Sequence, residues 1–159
     1  MANEIERKYL VTSDEWRVSS RRADLRQGYI SRQPGRSVRV RTQFQEDGEG
    51  QAFLTLKGSR QGITRPEFEY EISISDAIYM LNQMCEKPLI EKTRHFVDYA
   101  GLTWEVDEFR GENAGLIVAE VELKHADQPI ELPPWIGKEV TNDNRYYNSQ
   151  LVLNPYNLW

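Results

Sequence analysis

Hydrophobic and polar positions alternate along most of this chain, the two-residue period of a strand with one face toward a core. The alternation predicts strands over 4–11, 25–33, 36–44, 51–57, 64–74, 89–99, 102–109 and 116–124. Turn signals separate them at Pro34-Gly35, Glu46-Asp47-Gly48, Gly58 to Gly62 and Ala100-Gly101, the rhythm of an antiparallel sheet. Three stretches change to helical spacing. Thr12-x-x-Glu15 reads as a capping box for a short helix from Asp14 to Ala23. Ala77, Ile78, Leu81, Met84 and Cys85 form an apolar helical stripe, capped by Ser75, running to about Glu86 and stopped by Pro88. Asn142 is expected to cap a last helix reaching about Leu153, after a connector at Pro133-Pro134-Trp135. The pattern predicts roughly eight strands and three helices, a mainly β, α+β protein, in one domain over 1–159.

The polar positions of these strands are unusual. Charged residues recur two apart, which places them on one face, and they are sorted by sign. Arg39/Arg41 and Lys92/Arg94 are basic; Glu67/Glu69/Glu71, Glu105/Asp107 and Glu120/Glu122 are acidic; Glu4, Glu6 and Lys8 open the chain, and Lys57 and Lys124 close two strands. A sheet face in water is the ordinary reading of a charged strand face. Like charges about 7 Å apart repel, however, and more so where water is scarce. Their sorting makes sense if opposite charges, metal ions or an anionic ligand lie across from them. About eight twisted strands also tend to close into a barrel. The apolar positions Val38, Val40, Leu54, Leu56, Phe68, Tyr70, Ile72, Trp104, Val106, Val121 and Leu123 would then face outward under helices. The charged face would line a wet or ligand-filled interior, since this many bare buried charges are too costly. The seven basic and nine acidic positions leave that interior slightly acidic. Such a lumen wants both divalent cations and a polyanion, as a phosphate-ester or polyphosphate site does.

Composition narrows the chemistry. Twenty Lys and Arg stand against 25 Asp and Glu, for a formal charge of -5, so a general nucleic-acid surface is not expected. One Cys and two His exclude an intrachain disulfide and a Cys/His zinc site. A bound metal would therefore be a hard ion such as Mg²⁺ or Mn²⁺ on carboxylates. No apolar run is long enough to span a bilayer and MANEIERKYLV holds no signal-peptide core, so a cytoplasmic, soluble protein is expected.

The opening Glu4-x-Glu6-x-Lys8, within EIERKYLV, resembles the start of the CYTH superfamily, the triphosphate tunnel metalloenzymes. The likeness continues through QGYIS (27–31), SVRVRTQ (37–43), LTLKG (54–58), RPEFEYEI (65–72), EKTRHFV (91–97), WEVDEF (104–109), LIVAEVEL (116–123) and KEVTNDNRYYN (138–148). The resemblance implies a closed eight-stranded antiparallel barrel forming a tunnel, with helices packed outside. It implies metal-dependent chemistry at a triphosphate, with one or two Mg²⁺ or Mn²⁺ ions. By that likeness Glu4, Glu6, Glu120 and Glu122 would hold metal. Lys8, Arg39, Arg41, Lys57, Lys92 and Arg94 would grip phosphate. Glu67, Glu69 and Asp107 would act near a second metal or the attacking water. The residue chemistry agrees: Arg offers a fork to phosphate oxygens and Lys a point charge, and phosphoryl transfer needs positioning and charge neutralisation above all. The leading expectation is a hydrolase splitting inorganic tripolyphosphate into pyrophosphate and phosphate. A class IV-type adenylyl cyclase, a thiamine triphosphatase and a non-catalytic polyphosphate- or nucleotide-binding module are the alternatives. The expected partner is a small anionic triphosphate, with no nucleic acid and no membrane; the sequence does not set the oligomeric state.

Several residues stay outside that set. His95 alternates off the Lys92/Arg94 face and reads as structural, His125 as solvated and Cys85 as core. Tyr29 fits a tunnel wall or plain packing equally, and Arg65 the tunnel end or solvent. Arg145 fits a solvated helix face better than the tunnel mouth. Glu71, Glu105 and Lys124 lie on the charged face without an assigned role.

Overall fold

The alternating segments do form strands, and the strands close. In the computed structural model, which describes residues 3–18 and 21–159, they are β1 (Asn3–Val11), β2 (Arg21–Gln33), β3 (Arg36–Gln45), β4 (Gly50–Lys57), β5 (Thr64–Ile72), β6 (Ile90–Tyr99), β7 (Leu102–Phe109), β8 (Ile117–Glu122) and β9 (Ile136–Glu139). Helices α1 (Ile74–Gln83) and α2 (Asn148–Leu153) join them. The sheet runs β5-β4-β3-β2-β6-β7-β8-β1, all antiparallel, and β1 pairs back onto β5 through Asn3–Ile5 against Thr64–Pro66. That is a closed eight-stranded barrel. The ninth strand lies outside it, on the edge of β1 at Tyr9 and Val11. No described helix is long and apolar enough to cross a membrane.

The apolar faces point outward, as the alternation requires, and other segments cover them. Tyr9, Trp104, Val106, Ala119 and Val121 are buried with Trp16 and Trp135, which come from the loop after β1 and the approach to β9. Helix α1 lays Ala77 and Leu81 over Val40 and Ala52. Helix α2 packs Leu151 and Val152 against Tyr29, Ile90, Phe109 and Val118. On β4 and β5 the cover is incomplete: Leu56, Phe68 and Tyr70 remain partly exposed. Ala100 and Gly101 turn the β6–β7 hairpin with φ of 51° and 82°, the left-handed pair that a two-residue hairpin needs. Gly28 is a close-approach site, since a Cβ there would stand 2.8 Å from Cys85 Cβ and 2.7 Å from Leu89 Cδ2.

Four predicted elements are corrected. The helix from Asp14 to Ala23 is a single turn, Glu15–Arg17; of its predicted span, residues 19–20 lie outside the described residues, and Arg21 already begins β2. The Thr12 amide is held by the Trp135 carbonyl at 2.9 Å, and Ala23 and Leu25 are buried in pairing with β3 and β6; packing overrides the capping signal. Ser73, not Ser75, caps α1 by accepting from the Asp76 amide at 3.1 Å, so β5 ends at Ile72 and the helix ends at Gln83. The last helix does not start at Asn142. Its sequence forms one turn at Asn144–Tyr146, turns extended at Tyr147, and resumes as α2. The predicted connector around Trp135 leads straight into β9, which at four residues is too short for alternation to reveal.

Candidate active site

Barrel closure turns the charged positions onto one cavity of about 570 Å³. Its walls carry Glu4, Glu6, Lys8, Arg39, Arg41, Lys57, Glu67, Glu69, Lys92, Arg94, Glu120 and Glu122, with Glu105 beside them. The register explains why they meet. Glu6 lies opposite Glu122 and Lys8 opposite Glu120 across β1–β8, Lys57 opposite Glu67 across β4–β5, and Arg94 opposite Asp107 across β6–β7.

Asp107 is placed differently from the other predicted site residues. It does not line the cavity. Its side chain is 1% exposed and sits behind two cations, accepting from Lys92 Nζ at 2.7 Å and from Arg94 Nε and Nη2 at 2.8 and 2.9 Å. Glu71 is exposed at the end of β5 and Lys124 is exposed beyond β8. Tyr29 and Arg65 both line the cavity; Tyr29 also belongs to the core under α2. Arg145 is tied to Asp143 at 2.7 Å and lies over Tyr146 and Trp159, away from the cavity lining. His95 packs edge-on to Trp16 and pairs with Glu108 at 3.3 Å, outside the cavity lining. Asn148, Tyr147 and Arg60 also line the cavity, and alternation gave no sign of them. Asn148 Oδ1 accepts from Lys92 Nζ at 2.9 Å and from Gln27 Nε2 at 3.2 Å.

The electrostatics divide the cavity. Glu4 is held at about 2: burial works to raise it, but Lys57, 3.0 Å away, and Arg39 outweigh that. Glu120 is likewise held below the usual range against its burial, by Lys8, Arg94 and Lys92. Glu6 moves the other way, to about 8, through burial first and then the charges of Glu120 and Glu4. Glu122 is also raised, by burial and then by Glu4 and Glu105. Glu6 and Glu122 therefore lie opposite each other as carboxyls that burial and other nearby carboxylates raise, and neither makes an ion pair among the described residues. On the basic side, burial and the neighbouring Arg39 and Arg94 charges pull Arg41 down to about 10. Glu69 is the one carboxylate paired with Arg39 and Arg41 among the described residues, at 3.6 and 3.8 Å; Arg39 also donates to Thr55 Oγ1 at 3.4 Å, and the Nε of each arginine is buried without a partner among the described residues. Burial lowers Lys92 to about 8 despite Asp107.

One part of this cavity is short of positive charge and another of negative charge. As the side chains stand, no three carboxyl, thiol or imidazole groups among the described residues converge enough to hold an ion by themselves. Glu4 is drawn to Lys57 and Glu120 to Lys8. A hard ion seated at Glu6 and Glu122 would thus complete its coordination from water and phosphate oxygens, as Mg²⁺ commonly does.

The comparisons agree with that geometry. A sequence model of the CYTH domain matches residues 2–151. An inorganic triphosphatase of Acetivibrio thermocellus is 48% identical over 156 residues, covering 98% of this chain and 97% of its own length. An inorganic triphosphatase of Nitrosomonas europaea is 38% identical, covering 94% and 97%. The crystal structure of an inorganic triphosphatase superposes with a TM-score of 0.64 at 36% identity, over 94% of this chain and 97% of that one. A putative adenylate cyclase from Bacillus halodurans shares the fold at 15% identity and a TM-score of 0.57, over 80% of this chain and 84% of its own. The chain belongs to the CYTH domain family.

Proposed function

We propose that this protein is a divalent-metal-dependent hydrolase that splits inorganic tripolyphosphate into pyrophosphate and orthophosphate. One observation carries the reading. A single cavity holds two carboxyls with no ion pair among the described residues, Glu6 and Glu122, and a group of under-neutralised cations, Arg39 and Arg41. A bare polyanion would fit the second and meet repulsion at the first; a polyanion carrying a hard cation answers both. The two relatives named inorganic triphosphatase, alike over nearly the whole chain, support the same substrate.

The roles follow from position. Glu6 and Glu122, with Glu4 and Glu120 beside them, would hold Mg²⁺ or Mn²⁺. When bound, that ion supplies charge neutralisation at phosphate oxygens and an acidified water. Arg39, Arg41 and Arg94 present guanidinium forks to the chain, and Lys8, Lys57 and Lys92 add point charges. Glu67, lifted to about 7 by burial and by Glu4, is suited to accept a proton from a water near Lys57. Glu69 steadies Arg39 and Arg41 from the same strand. Asp107 holds Lys92 and Arg94 in place rather than meeting substrate. The test is phosphate release by the purified chain from tripolyphosphate, with Mg²⁺, with Mn²⁺ and with chelator. Release that needs an added ion supports the reading; no release with either ion, or undiminished release in chelator, overturns it.

A further inference from the structure

The cations of the cavity are not alike in their neutralisation. Lys8, Lys57, Lys92, Arg39, Arg41 and Arg94 each have a carboxylate oxygen within 4 Å. Arg32, at the rim, pairs with Glu86. Arg60 and Arg65 line the same cavity, and neither has an ion-pair partner among the described residues. They belong together. Arg65 enters from β5 opposite Glu4, with one amino group donating to the Gly58 carbonyl at 3.1 Å and its Nε buried without a partner. Arg60 comes from the β4–β5 loop and lies over the Tyr147 ring, 4.9 Å from its centroid. Burial, and then the Arg60 charge, depress Arg65. Two guanidiniums on one cavity wall, with Glu4 and Glu6 acting on Arg65 only from beyond ion-pair distance and no carboxylate paired with either among the described residues, form a seat for an anion.

Resting on the triphosphate reading above, we propose that Arg60 and Arg65 receive the terminal phosphate at the far end of an inorganic chain, and that they make the enzyme prefer inorganic tripolyphosphate to nucleoside triphosphates. The chemistry of the two ligands differs at that end. Both termini of tripolyphosphate are free phosphates, with a full set of charged oxygens for two Arg forks. The corresponding phosphate of ATP is an ester. It has less charge and one fewer free oxygen, and it carries a ribose. A nucleotide would leave the two guanidiniums desolvated against a sugar, the kind of unpaired buried group that gives strong discrimination. The position fits this task. Arg60, Arg65 and Tyr147 stand where the β4–β5 loop meets the segment leading into α2, and among the described residues no carboxylate pairs with either arginine there.

The test uses Arg60→Ala, Arg65→Ala and the two Lys variants in the full chain, with melting curves to confirm folding. Two readouts run in parallel with Mg²⁺: kcat/KM on tripolyphosphate and on ATP, and calorimetric binding of the non-hydrolysable diimidotriphosphate and adenylyl imidodiphosphate. Each Ala variant should lose about tenfold or more on the inorganic ligand and less than about threefold on the nucleotide, so that selectivity shrinks. The Lys variants should fall between. Equal losses on both ligands, or no loss on either, would overturn the assignment while leaving the triphosphatase reading intact. If the wild-type chain turns over nothing yet its binding ratio collapses in the Ala variants, the function reading fails and this inference stands. Arg60 lies in a loop, so its variant keeps the test decisive if Arg65→Ala does not fold.

Discussion

Replacing Asp107 by Asn tests whether the basic wall stands on a buried counter-charge. Asp107 is 1% exposed and takes three bonds, one from Lys92 and two from Arg94, all between 2.7 and 2.9 Å. Asn keeps the shape but removes the charge and turns an N–H₂ toward two cations. Removing one member of a buried ion pair costs about 3–5 kcal/mol. The lower end applies here, because the amide oxygen still accepts one bond and Glu105 stays 3.3 Å from Arg94. A loss of about 3 kcal/mol lowers the melting temperature by roughly 6–12 °C in a chain of this size. The pH dependence has a definite sign. Asp107 is held below its ordinary value, with Arg94 and then Lys92 overcoming its burial, so its contribution is complete above the unfolded value of about 4 and fades as pH falls through the folded one. The gap between wild type and Asp107→Asn should therefore be constant from about pH 7 to 5 and narrow below about pH 4. Denaturant melts over that range measure it. Adding tripolyphosphate should restore part of the loss by supplying anionic oxygens to the same cations. A gap under about 1 kcal/mol at pH 7 would refute the claim that this carboxylate anchors the wall.

Other expectations follow from the same geometry. Glu122→Gln should cut tripolyphosphate hydrolysis about 100-fold or more at limiting Mg²⁺ with the melting temperature unchanged or raised, since it removes a carboxyl whose charge is opposed by burial, Glu4 and Glu105; near-normal rates would contradict its place in the ion seat. Arg41→Ala should lose activity yet keep or gain stability without ligand, because Arg41 is opposed by Arg39 and Arg94, whereas Arg94→Ala should lose stability by stranding Asp107; paired thermal melts decide, and equal behaviour of the two would contradict the distinction. Gly28→Ala should destabilise by about 1–3 kcal/mol, because its Cβ meets Cys85 and Leu89 at under 3 Å; a neutral result in denaturant titration would mean that this contact relaxes freely.

The barrel and most of its lumen were legible because a strand's side-chain period is two. Once Glu4, Glu6 and Lys8 share a face, barrel closure can only send that face in or out, and the sorted charges favour a lined interior. Depth was not legible. Asp107 has the parity of Glu105, yet pairing places it opposite Arg94 and behind Lys92, and parity does not say which charge covers which. Arg60, Tyr147 and Asn148 were illegible because they come from a loop and the chain's irregular final segment, where no period marks a direction. Arg60 sits in Gly58-Ser59-Arg60-Gln61-Gly62, which reads only as a turn. The false helix after Thr12 had the opposite cause. Its capping signal was real, but the burial of Ala23 and Leu25 between neighbouring strands outweighs one local cap.

Competition in a single tube tests the assigned substrate most directly. Equimolar tripolyphosphate, ATP and pyrophosphate are incubated with the purified chain and Mg²⁺, and each is followed by phosphorus NMR, so that the relative rates of disappearance give the ratios of kcat/KM. Tripolyphosphate should vanish at least about tenfold faster than ATP, a difference of about 1.4 kcal/mol in transition-state binding, with pyrophosphate and orthophosphate as products and no cyclic AMP. ATP consumed as fast as tripolyphosphate, or cyclic AMP as the main product, would contradict it.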